Sequence, residues 1–501
     1  MKAIKLLFTL ILILSILTAC GNKSDKEITA EETLIHQHDI PNEVAAPKIQ
    51  GLRLPYVVQL SSNPYTASIK ANTDICSLIY DPLVKIKTDY TNEMYLAESI
   101  SSAENVHTVT LKKGIAFSDG SILNADDAVN SFERAKAGDS FYSSSLAEVI
   151  SCTKKDDYTI VFEAESIDEN FANLLTFPIV KQKEDGEFIG CGRYKLNAQK
   201  NALIRNTSHF KSKSGIDKID LVEFKSSSEL INSLRRGEID CIFTDTPDWS
   251  VSYISRKTSA VDMNKLVLLG INCQREQLSE GTMRQVILKA VDQQALIKDA
   301  FKSTAIPTST PFNPAFYKLD SAGAAASTHA PNEIPKMMSE LGFTEKDENG
   351  MYTGLSLNLI VNNESPIKRN AAYAIAKQLG RAGISVTVEE SSFEVYMNNL
   401  VSQNFDLYIA EVGIPYNMNL SSVLSQNTNS GFGVTYNSTL IDEYAQVRAG
   451  SVPCSKFIKT FNEVVPFVPL AYRNGTLALS ADFPAEITAT PQDIFYNIDS
   501  W

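Results

Sequence analysis

Residues 355–390, LSLNLIVNNESPIKRNAAYAIAKQLGRAGISVTVEE, read as a strand, a helix and a second strand in one unbroken run. LSLNLIVNN is strand-like. Ala371, Ile375 and Leu379 then follow at four-residue spacing, which places them on one helix face, and Gly383 supplies the stop. After it Ile384, Val386 and Val388 alternate with polar residues, the period of a strand covered on one side. Downstream, FDLYIAEVG (405–413) reads as a further strand. Upstream, MRQVILKAVDQQALIKDAF (283–301) puts Ile287, Ala290, Val291, Ile297 and Phe301 on one arc of a helix. Strands alternating with helices predict an α/β fold with a largely parallel sheet and helices on its faces.

Working outward, the chain of 501 residues exceeds what a single hydrophobic core normally serves, so more than one packed body is expected. Its formal net charge of −13 opposes binding to nucleic acid or to anionic lipid. At the N-terminus, Lys2 and Lys5 precede the apolar run Leu6 to Leu17, which is too short to cross a bilayer comfortably and reads as a secretory leader over residues 1–19. Leu17-Thr18-Ala19-Cys20-Gly21 resembles the bacterial lipobox, in which the cysteine is acylated and becomes the first residue of the mature protein. Acyl chains contribute about 0.8 kcal/mol per buried methylene, so Cys20 would tether the protein to a membrane surface. Residues 20–50 are polar, with Pro41 and Pro47 near their end, and read as a tether. The other six cysteines are widely spaced and contain no close C-x-x-C pair; three disulfides and buried free thiols both remain open.

The stretch HTVTLKKGIAFSDGSILNADDAVNSFERAKAG (107–138) reads as strand, turn and helix. Val109 and Leu111 alternate with polar residues, Asp119-Gly120 is a tight-turn signal, and Asn124 is placed to cap a helix with Asp126 and Asp127 in its first turn. Together with IYDPLV (79–84), LAES (96–99), GCGRYKL (190–196), SLRRGEID (233–240), MRQVILKAVDQQALI (283–297), LGF (341–343) and QLGRAGISVTV (378–388), this block resembles one family. That family is the extracellular solute-binding proteins of bacterial ABC importers, specifically the peptide and nickel group, family 5.

The resemblance implies a periplasmic-binding-protein-like type II fold of two lobes that close about a hinge. Lobe I would comprise residues 51–264, including an extra subdomain at about 75–180, and would be rejoined by residues 469–501; lobe II would comprise residues 265–468. The lobes would be connected near IFTDTPDW and near VPLAYRN. The implied role is capture of an oligopeptide or dipeptide and its delivery to an ABC permease and its ATPase. The place would be the outer face of the cytoplasmic membrane of a Gram-positive bacterium. A nickel chelate, an oligosaccharide, or a peptide-sensing role without import are the alternatives. A monomer without cofactor or metal is expected.

The ligand-choosing region by this resemblance is LYIAEVGIPYNMNLSSVL (407–424), at a strand's carboxyl end where open α/β sheets gather ligands. Peptide-binding relatives commonly carry a tryptophan and an aspartate here for the ligand's α-amino group. This chain has neither, and Glu411 is the candidate substitute. Tyr416 lies in Gly-Ile-Pro-Tyr-Asn, which faintly resembles the loop of nickel-binding relatives; Asn417 and Asn419 would hydrogen-bond a ligand, or Asn419 would cap the following helix. Tyr65 in SSNPYTAS and Trp249 in TDTPDW are candidate aromatic contacts. Arg193 stands where the family usually has proline, which puts a cation either beside the cleft or on a surface turn. His107, His209 and His329 are the histidines of the folded body, and none falls in the loop. No nucleophile elbow, paired zinc histidines or phosphate-binding loop is present, so catalysis is not expected.

Overall fold

The run that opens the α/β reading forms as predicted. In the computed structural model, which describes residues 51–57, 63–211, 215–245, 255, 257–319, 327–426, 430–481, 483 and 486–501, the strands Ser356–Asn362 and Ser385–Ser391 pair in parallel, Leu359 opposite Val388. Between them runs the helix Pro366–Arg381, burying Ala371, Ile375 and Leu379. Ser365 caps its start, and Gly383 turns the chain back at φ +87°. A side chain there would meet both backbone strain and the Tyr352 ring. The leader, the tether with Cys20, and Trp249 lie outside the described residues.

Two expectations are corrected. The sheet containing this unit has seven strands, but it is not largely parallel. Leu407–Gly413 joins Ser356–Asn362 in parallel, whereas Lys257–Ile271, Phe467–Leu479, Cys241–Thr244 and Ala305–Pro307 all add antiparallel. The parallel part is confined to the strands joined by crossover connections; the other strands meet by long returns of the chain. The single helix read over residues 283–301 is also two, Gly281–Ala290 and Gln293–Asp299. Asp292 accepts a hydrogen bond from the Ala295 amide at 3.0 Å, so its side chain starts a new helix instead of continuing the old one.

The strand–turn–helix block is realised closely. Val106–Leu111 lies in a four-stranded antiparallel sheet with Ala97–Ala103, Thr159–Ala164 and Val149–Asp156. Gly120 makes the turn at φ +89°. Asn124 begins the helix Ala125–Lys136, and Asp127 reaches back to the Asn124 amide to complete a capping box. A third sheet orders Leu52–Val57, Lys218–Phe224, Ala202–Arg205 and Tyr194–Leu196.

The strand Lys257–Ile271 positions the site. Leu266 and Leu268 enter one hydrophobic core while Val267, Leu269 and Ile271 enter another, so both of its faces are buried. Its register against Phe467–Leu479 shifts between Asp262 and Lys265 and again between Val267 and Leu268. Asn264, inside the first shift, has φ +50°, a conformation asparagine tolerates better than most residues. Of the segments in which lobe crossings were expected, VPLAYRN (468–474) lies within the strand Phe467–Leu479, and IFTDTPDW (242–249) begins in the strand Cys241–Thr244 with its residues 246–249 outside the described residues. All six described cysteines are buried.

Candidate functional site

The irregular strand Lys257–Ile271 and the end of Leu407–Gly413 build one wall together. The Ile414 amide donates to the Asn264 carbonyl at 2.9 Å, and Asn264 Nδ2 donates to the Ile414 carbonyl at 2.7 Å. Behind them Asp262 accepts from Tyr90 Oη and Asn313 Nδ2, each at 2.8 Å, and from the Asn264 amide. Burial raises the Asp262 carboxyl above its ordinary pKa; these hydrogen bonds offset part of the effect. The loop after Gly413 is thus held in place by the protein.

This wall faces a cavity of about 730 Å³. Met263, Asn264, Lys265, residues 411–416, Asn419 and Ser421 line one part of it. Phe141, Tyr142, Glu148, Asn173 and Thr176 line the other. Residues far apart in sequence therefore converge at the carboxyl end of a sheet strand, where solute sites in such folds form.

Glu411, Tyr416 and Asn419 are brought together in this cavity, with differing freedom to act. Glu411 Oε2 accepts from Arg473 Nη1 at 3.1 Å, and Oε1 lies 3.8 Å from Lys265 Nζ. Tyr416 donates its hydroxyl to the Pro491 carbonyl at 3.0 Å, which leaves its ring for contact. Asn419 lines the cavity and its Oδ1 accepts from the Ser421 amide at 2.9 Å, but the N-cap of the short helix Ser421–Leu424 is Leu420, so Asn419 does not cap that helix.

Other candidates serve the framework. Asn417 is buried and donates to Asp168 Oδ2 at 2.6 Å. Tyr65 is buried behind the cavity residue Tyr142, ring to ring at 6.4 Å, and donates to the Pro178 carbonyl at 2.9 Å. Arg193 is neither beside the cavity nor on a surface turn. It is 1% exposed, pairs with Asp493 at 2.9 Å and donates to the Phe495 carbonyl at 2.9 Å. Burial would raise the Asp493 carboxyl, but Arg193 and Lys85 outweigh it and hold the pKa below its ordinary value. This cation fastens the C-terminal segment to the body.

Sequence reasoning missed Lys265, Arg473 and the Phe141–Glu148 segment. Arg473 had a readable signal. It is a lone arginine in the largely apolar strand Phe467–Leu479, and a buried cation requires a carboxylate partner. Glu148 is occupied in the same way, 2.7 Å from Arg448. None of the cavity's lining residues is histidine.

The mixed α/β fold is that of known solute-binding proteins. The oligopeptide-binding protein AppA from Bacillus subtilis, solved in complex with a nonapeptide, matches with a TM-score of 0.61 at 20% identity over 91% of this chain and 99% of that one. The unliganded open form of the periplasmic murein tripeptide-binding protein MppA matches with a TM-score of 0.73 at 17% identity, over 90% of this chain and 96% of that one. In sequence, AppA of Bacillus subtilis (strain 168) is 21% identical over 86% of this chain and 87% of its own. The nickel-binding periplasmic protein of Escherichia coli (strain K12) is 21% identical over 63% and 67%.

Residues 93–433 match the model of the bacterial extracellular solute-binding proteins, family 5 Middle, and the chain belongs to that family. It is an extracytoplasmic solute-binding protein of the peptide and nickel ABC-transporter group, a family of non-catalytic transport binding proteins.

Proposed function

We propose that this protein captures a peptide-like solute in the cavity between Tyr142 and Tyr416 and presents it to an ABC permease. The carrying observation is the convergence of the pinned 411–419 loop with residues 141–148 around one cavity at a strand's carboxyl end. Residues 51–264 with 469–501 would form one lobe and residues 265–468 the other. The bulged strand Lys257–Ile271 and its partner Phe467–Leu479 would bend as the lobes close, coupling occupancy to shape. Aromatic and small polar walls suit a backbone with varied side chains, because water can bridge what the wall does not touch. Cys20 would carry the lipid anchor at the outer face of the cytoplasmic membrane of a Gram-positive cell, with the protein a monomer. Cys20→Ser is then expected to release it into the medium.

The test is thermal unfolding of refolded, ligand-stripped protein against di- to pentapeptides, nickel with histidine, and neutral oligosaccharides. A ligand at a hundred times its Kd adds about 2.7 kcal/mol of stability. Stabilisation by peptides upholds the reading. Stabilisation by nickel–histidine or sugar alone replaces the ligand class.

A further inference from the structure

Lys265, which lines the cavity, belongs to an unusual cluster of charges. Lys265 and Arg473 lie directly opposite one another on neighbouring strands, and like charges in that position repel. One carboxylate, Glu411, serves both, at 3.1 Å from Arg473 and 3.8 Å from Lys265. A third cation, Lys368, shares the same field: burial lowers its pKa, Glu411 raises it, and Arg473 and Lys265 lower it further. Two further acids reach the cluster: Asp245, 3.6 Å from Lys265 and about half exposed, and Glu364, whose charge raises the Lys368 pKa. The three cations thus face three carboxylates, and Glu411 acts on each of the cations.

Hydrogen-bonding capacity is also left over. Among the described residues Lys265 Nζ has ion-pair neighbours only at 3.6 and 3.8 Å, beyond hydrogen-bond reach, although Lys265 lines the cavity. Arg473 is 5% exposed, and its buried Nε has no hydrogen-bond partner. The acids of the cavity wall, by contrast, are engaged: Glu411 by Arg473 and Glu148 by Arg448.

We infer that the Lys265–Arg473 corner receives an anionic group of the solute, the carboxylate of a peptide-like ligand, and that this wall does not recognise a free amino group. The inference rests on the cavity being the solute site. A ligand carboxylate there would take the unused ammonium donors and relieve the cross-strand repulsion. An ammonium would meet the like charge of Lys265 and an acid already paired. Glu411 accordingly acts as the counter-ion that keeps two cations together, a positioning role.

Calorimetric titration of refolded protein decides it, using di- to pentapeptides in three forms: unmodified, N-acetylated and C-amidated. Amidation is expected to weaken binding about tenfold or more, the usual loss for a charge-assisted hydrogen bond, while acetylation changes it less than about threefold. Lys265→Met should bind the unmodified peptide no better than wild type binds the amide, and Lys265→Arg should retain the preference. Thermal unfolding of each ligand-free variant verifies folding. A loss on acetylation but not on amidation overturns the inference, as does an unchanged preference in Lys265→Met. If no peptide binds, the peptide reading fails separately and the remaining probes decide the charge question. Nickel–histidine binding that requires Lys265 upholds the anion corner; binding of a neutral oligosaccharide that ignores Lys265 overturns it. Silence across all probes overturns both.

Discussion

Replacing Arg193 with alanine separates a framework role from a ligand role. The guanidinium is 1% exposed and reaches Asp493 Oδ2 at 2.9 Å, the Phe495 carbonyl at 2.9 Å and the Tyr496 carbonyl at 3.4 Å. Removing one member of a buried ion pair costs about 3–5 kcal/mol, because the other charge stays buried. Lys85 Nζ remains 3.4 Å from the same carboxylate, which moves the ion-pair part toward about 3 kcal/mol. Two carbonyls losing their donor add about 1 kcal/mol each if they remain dry. The expected loss is therefore about 3–5 kcal/mol, read as a lower urea midpoint of ligand-free protein at pH 7. The acid limb gives a second reading. Because Asp493 is held below its ordinary pKa, its contribution is complete above the unfolded value and disappears as pH falls through the lower folded value. Without Arg193 the folded value rises, so acid destabilisation begins at higher pH. A loss under about 1 kcal/mol, or a loss of ligand affinity with unchanged stability, refutes the reasoning.

Glu411→Gln leaves Arg473 beside two other cations and should destabilise ligand-free protein by about 2–3 kcal/mol in urea unfolding, with a smaller loss in an Arg473→Met background. At Asn264, alanine loses the bonds to the 414–415 carbonyls and must adopt φ +50°, whereas glycine loses only the bonds. Denaturation should place Asn264→Ala about 1 kcal/mol below Asn264→Gly. His107 is fully buried and stacked on Phe171 at 3.6 Å, and burial lowers its pKa to about 4. Between that value and the ordinary 6.5, the unfolded chain binds the extra proton, so stability falls as pH is lowered through this window. Stability measured from pH 7 to 4 should have a shallower slope in His107→Phe.

Local patterns in the chain foretold local structure well. The period at 371–379 with Gly383, and the capping box at Asn124, involve residues within a few positions of one another, so their physics is visible in the string. What failed depended on choices between neighbours or on long returns. Asp292 competes with the helix for its own backbone, and strand direction follows from connections that periodicity does not encode. The site was legible as a region and less so as residues. Glu411, Tyr416 and Asn419 reach the cavity, but Asn417 and Arg193 are turned to partners 249 and 300 residues away in sequence. Polar type alone does not distinguish a side chain that meets solute from one that secures a distant segment.

The six buried thiols make the protein its own gauge of opening. Burial pushes Cys76 and Cys152 up to about 12, and Cys191, Cys241 and Cys273 also upward, so at neutral pH these sulfurs are both hidden and protonated. They are distributed from the helix Lys70–Ile79 to the helix Cys454–Val464, across sheet, helix and loop. An alkylating reagent can reach each sulfur only when its own surroundings part. The order in which the six are alkylated, read by mass, would therefore rank the regions of the molecule by how readily they come apart, with no probe added to the chain.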